Sequence, residues 1–146
     1  MQLDENLKAA LIDALHHITF GTFVNLPIVI KKPAYIIAVI IFSMLLDTDH
    51  VIQARSLSVK KMLNLGGRPA FHSLLIVVLI TLLTYIPAKS ITFSAVAFLS
   101  MLSHLIWDLA TGGVSLFFPL KKIYKLTKVQ AVFAFVLLFG LSLSLL

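Results

Sequence analysis

The sequence predicts an all-α fold, a multi-pass membrane helical bundle of four to five helices, and three observations predict it. Of the 146 residues, 60% are hydrophobic and only 12% charged, whereas a soluble domain carries about a quarter charged residues. Mean hydropathy is +1.03. The apolar residues fall in long runs separated by short basic stretches containing Pro or Gly, the pattern of spans joined by turns. A chain of this length is read as a single membrane-embedded domain over residues 1–146.

Five helices are expected. The first covers about Leu7 to Ile30, carries Asp13, His16 and His17, and stops before Lys31-Lys32-Pro33, because proline disfavours the helical conformation in the residue before it. The second begins near Pro33, a residue suited to a first helical turn. Its apolar part, Ala34 to Leu46, has thirteen residues, too few to cross a hydrocarbon core of about 30 Å. It is therefore expected to continue through Asp47-Thr48-Asp49-His50 toward Ala54. A polar, basic stretch from Arg55 to Arg68 follows, with Gly66-Gly67 marking a turn. The third helix covers about Phe71 to Ile86 and ends at Pro87; the fourth runs from about Ile91 to Leu109 and breaks at Gly112-Gly113. After a loop with Pro119 and four lysines, the fifth occupies Val129 to Leu146, eighteen residues without a charge. The first helix is amphipathic, so it either spans or lies in the interface.

Net charge is +6. The basic residues sit in loops between apolar runs, where topology and anionic headgroups account for them, so membrane lipids are the expected partners and no nucleic acid is expected. If all five helices cross, Lys8, Arg55, Lys60, Lys61, Arg68, Lys121, Lys122, Lys125 and Lys128 lie on one side, nine basic residues. Lys31, Lys32 and Lys89, three residues, lie on the other. Nine against three predicts a cytoplasmic N-terminus in the plasma or inner membrane. The acidic start, with Asp4 and Glu5, argues against a cleavable signal peptide. Oligomeric state is not legible. Trp107 and Tyr124 are read as interface anchors.

This topology brings the ionisable groups to one layer. Asp47, Asp49 and His50 end the second helix, His72 opens the third, and His104 and Asp108 lie in the last turns of the fourth. His16 and His17 lie deeper on the same side. His104 and Asp108 are four apart, as are Asp13 and His17, so each pair projects from one helical face. Gly21 extends the second stripe with room for a neighbouring helix. Of His16 and His17, adjacent in sequence, at most one faces the site. Several carboxylates beside imidazoles in a membrane make sense when a cation offsets their charge. With no cysteine in the chain, a divalent metal held by His and Asp is expected: zinc first, manganese or iron as alternatives. One motif alone has a plainer reading: His-x-x-x-Asp is more often a hydrogen-bonded pair, and Asp-x-Asp a helix cap.

Four segments also resemble a known family, the LexA-regulated, inner-membrane, metal-dependent hydrolases (YdjM-like), which is distantly similar to zinc-dependent phospholipase C. They are His17-Ile18-Thr19-Phe20-Gly21; Leu46-Asp47-Thr48-Asp49-His50; Arg68-Pro69-Ala70-Phe71-His72-Ser73; and Ser103-His104 through Asp108-Leu109-Ala110-Thr111, followed by Gly113-Val114 and Phe118-Pro119. The chain departs from the family pattern at Gly67, where a histidine is common, and at Phe71, where threonine is. The resemblance implies a membrane-bound metal-dependent hydrolase acting on a phosphoester of a lipid or lipid-linked substrate at the cytoplasmic face. Its expected metal ligands are His17, Asp49, His50, His72, His104 and Asp108. Asp47 is expected as ligand or general base, and Arg68 to pair with a phosphate oxygen. The alternatives are a small transport or channel protein, which needs polar groups through the full depth, and a non-catalytic structural membrane protein.

Overall fold

A computed structural model describes residues 5–56, 58–63, 71–120 and 122–146. Seven helical segments form among them: α1 Glu5–Lys31, α2 Tyr35–Leu45, α3 Thr48–Ala54, α4 Val59–Leu63, α5 Leu74–Ala88, α6 Ile91–Thr111 and α7 Lys128–Ser144. The described residues contain no strand, only an isolated antiparallel bridge between Val114 and Tyr124.

Helix α1 ends at Lys31, where Pro33 was expected to stop it, and carries Pro27 within its last turns. α2 and α3 run on as a 20-residue apolar helix, Tyr35–Ala54, with a turn at Leu46–Asp47. This is the predicted continuation past Asp47. The third predicted helix begins three residues later than expected, at Leu74, because Ser73 is its N-cap and its side chain accepts from the Ile76 N–H. That helix also passes through Pro87 and ends at a left-handed Lys89; a proline this close to the C-terminus breaks a single backbone bond. α4 lies in the stretch read as polar and basic, too short for a periodicity signal. α7 opens with a capping box, Thr127 with Gln130. The predicted turn at Gly66-Gly67 lies outside the described residues.

α6 is the central helix and packs against α1, α2, α5 and α7. Its Val96, Leu99, Met101 and Leu105 are fully buried, together with Val24 of α1 and Val39 of α2. Gly21 is where α1 comes closest to its neighbours. A methyl group there would run into the Ser43 hydroxyl and approach Ser103, so a bare backbone is what lets three helices meet. Tyr35 and Phe42 of α2 contact Phe93, and Ser43 meets His104, so α2 and α6 run parallel. α1 runs against α6, since His17 meets His104 while Asn25 bonds Ser100.

The exterior is apolar. Leu15, Ile37, Leu75, Leu82, Ile91 and Leu137 are all more than half exposed, an apolar cover far beyond the patches a soluble monomer shows. Two helices are long and apolar enough to cross a membrane, Tyr35–Ala54 and Ile91–Thr111, and Leu74–Ala88 and Lys128–Ser144 are shorter apolar helices.

Candidate metal centre

The C-terminal turns of α2 and α6, the entry to α5 and the middle of α1 converge at one end of the bundle. Helix periodicity sets the local geometry: His104 and Asp108, one turn apart on α6, both face inward and are fully buried. The fold then brings in His72 from the tight turn before α5, and Asp47 from the α2–α3 turn.

Four donor atoms face one another. His104 Nε2 lies 3.2 Å from Asp108 Oδ2, 3.2 Å from His72 Nε2 and 3.6 Å from Asp47 Oδ1. His72 Nε2 lies 3.3 Å from Asp108 Oδ2 and 3.5 Å from Asp47 Oδ1. An ion bound tetrahedrally at 2.0–2.1 Å separates its donors by about 3.3–3.4 Å. The five separations, 3.2 to 3.6 Å, bracket that edge.

The far side of each imidazole is anchored. His104 Nδ1 donates to the Ser43 carbonyl at 2.7 Å; a carbonyl only accepts, so Nδ1 carries a proton and Nε2 is the nitrogen left to hold a metal. His72 Nδ1 donates to Asp49 Oδ2 at 3.3 Å, and the same oxygen accepts the Phe71 N–H at 2.7 Å. The two Nε2 atoms face each other from 3.2 Å, and with both rings neutral each would point a lone pair at the other. Lone pairs this close repel unless a proton or a cation lies between them. The donor set therefore fits a divalent ion, with a carbonyl and a carboxylate behind the two histidines, as metal-bound histidines normally have. Burial disfavours charge on His72, yet its hydrogen bonds to Asp47 and Asp49 outweigh that and raise its pKa to about 9.

The remaining predicted residues lie around this nest. Asp49, expected as a ligand, lies behind His72 at its Nδ1 and is 4% exposed. His50 Nε2 lies 4.0 Å from Asp47 Oδ1 and its ring meets His72 edge-on. His17 is fully buried and stacks flat on His104, 3.5 Å between centroids. Its Nε2 lies 3.7 Å from Asp108 Oδ1, the oxygen that faces away from His104 and His72, and 3.7 Å from the more exposed Asp13. His16 turns away, as expected, and stacks on Trp107. Trp107, read as an interface anchor, is half-buried between His16 and Phe20. Arg68 lies outside the described residues. Sequence reasoning missed the Ser43 carbonyl, since a backbone acceptor carries no side-chain signal.

A cavity of about 250 Å³ opens beside the cluster, with Asp47 and His50 in its lining.

The family profile described as YdjM inner membrane protein matches residues 12–145, a span that includes every residue of the cluster. No curated protein and no solved structure matches the chain.

Proposed function

The chain belongs to the YdjM inner membrane protein family, and from that premise we propose that it is a metal-dependent hydrolase working at the membrane surface. The observation that carries this reading is the nest of four donors at 3.2–3.6 Å with both histidines anchored from behind. His72, His104, Asp47 and Asp108 hold the ion, zinc by the chemistry of the donors. Asp49 and the Ser43 carbonyl fix the two imidazoles. A divalent ion here lowers the pKa of a bound water toward neutrality and polarises a substrate oxygen. His50, expected as a ligand, lines the cavity beside Asp47 and is assigned here the taking and returning of a proton. His17 braces His104 by stacking and faces the outer oxygen of Asp108. The substrate is a phosphoester of a lipid or lipid-linked molecule, reached from the cytoplasmic face. The orientation rests on the nine-to-three basic asymmetry of the loops.

Elemental mass spectrometry of detergent-purified protein, wild type beside His104→Ala, tests the site. About one equivalent of zinc, manganese or iron per wild-type chain, lost in the variant, is expected. Hydrolysis of phosphoesters that is lost with the metal and restored by it then tests the activity. A wild type that neither contains nor takes up metal would overturn the reading, leaving the cluster a helix-locking device.

A further inference from the structure

Helix α4 supplies no donor to the cluster, yet it closes a cavity of about 250 Å³ against α1 and the α2–α3 helix. The apolar lining is Ala10 and Ala14 of α1, Met44 and Val51 of α2 and α3, and Val59 and Met62 of α4. Asp13, Asp47 and His50 are its polar lining, the last two at the metal centre.

Three features say what such a space takes. Ala10 and Ala14 are four apart, so two small side chains on one helical face leave an open groove along α1. Two walls are methionines, unbranched thioethers that repack around chains of differing shape. An apolar space of this kind offers water few partners. On the flanks of α1, Leu11 and Leu15 are 48% and 62% exposed, so the cavity lies beside the lipid-facing surface. Lys60 and Lys61 are exposed on α4, cations on the same short helix that walls it.

We infer that this cavity is the subsite for one alkyl chain of an anionic phosphoester, seated with its head at Asp47 and His50. The inference rests on the hydrolase reading of the cluster and adds the substrate's shape: a single apolar tail measured between α1 and α4. Ala10, Ala14, Val59 and Met62 then set which tail lengths are accepted. Each methylene the cavity buries adds about fourfold in affinity, and the gain ends where the cavity is full.

The test is binding rather than turnover, on zinc-loaded full-length protein in nanodiscs of fixed lipid composition. Methyl, butyl, octyl and dodecyl phosphate are titrated into wild type, Ala14→Trp and Met62→Trp. Comparing proteins in the same nanodiscs cancels partitioning of the ligand into lipid. Affinity in wild type is expected to climb along the series by at least a hundredfold. Both variants should flatten that climb while binding methyl phosphate and zinc as wild type does. The same climb in a folded, zinc-loaded variant, or no climb in wild type, overturns the subsite. Because Ala14 and Met62 lie on different elements, one failing to fold leaves the other to decide. A climb that is intact while methyl phosphate binds equally well with and without metal upholds the cavity and counts against the hydrolase reading, so the two fail separately.

Discussion

Asp47 and Asp49 are two residues apart and face different atoms. The α2–α3 turn aims Asp47 at both Nε2 atoms, while Asp49 reaches round to the back of His72. Substitution should separate them. His104→Ala is expected to abolish metal binding, whereas Asp49→Asn, which retains an acceptor for the Phe71 N–H, should weaken it by about 10–100-fold. Metal titration against a competing chelator measures both; equal loss would put Asp49 in the ligand set. The raised pKa of His72 makes a second prediction. Its folded value, about 9, lies above the ordinary 6.5. Its contribution to stability is therefore complete below about 6.5 and is lost as pH rises through 9. Metal entry must expel that proton, so affinity should rise about tenfold per pH unit from 7 toward 9 and release one proton. Calorimetry in buffers of different ionisation enthalpy reads the proton; a flat pH profile would contradict it.

At the scale of elements, the site depends on how closely α1, α2 and α6 approach. Gly21 lets α1 sit against Ser43, and the carbonyl of that same Ser43 holds His104. Gly21→Leu should therefore cost about 1–3 kcal/mol of stability through overpacking and weaken metal binding as well, though Gly21 touches no ligand. Unfolding in mixed detergent, run beside metal titration, checks whether the two losses come together. The cap of α7 is an independent case: Thr127→Ala removes the hydroxyl that accepts the Gln130 N–H, while the Thr127 backbone N–H keeps its bond to Gln130 Oε1, at a cost of about 1 kcal/mol, and should leave metal content alone. Helix existence was legible in all five predicted segments, because long apolar runs bounded by Pro, Gly and charge carry that signal. The starts were less so. The entry to α5 depends on Ser73 capping, and α4, five residues long, is below what periodicity can register.

For the whole molecule, the outer surface and the interior are arranged for lipid: leucines, isoleucines and valines outside, and a polar cluster within. Below the cluster the interior still holds Asn25, Ser94 and Ser100, with Asn25 donating to Gly21 and Ser100. The far half is thus less bare of polar groups than the charged residues alone suggested, but it holds hydrogen-bonding side chains of the kind that join helices. Topology is the prediction at this scale. Cysteines placed singly at Lys60 and at Lys89 should be labelled from opposite sides of the membrane, with Lys60 on the cytoplasmic side. Labelling of both from one side would overturn the five-span arrangement.

What the sequence determined by itself was the class of molecule and the chemistry available to it. Composition and run length place the helices in a membrane, and the absence of cysteine leaves His and Asp as metal donors. The i, i+4 spacing already set His104 and Asp108 on one face, because helical periodicity is a local property. Only the tertiary structure decided which groups meet. His72 reaches His104 across 32 positions and Ser43 reaches it across 61. Asp47 faces both Nε2 atoms while Asp49 meets the far nitrogen of His72, because the direction of each side chain is set by the turn between α2 and α3. No local pattern encodes that division, since the same Asp-x-Asp spacing serves either assignment and packing alone chooses between them.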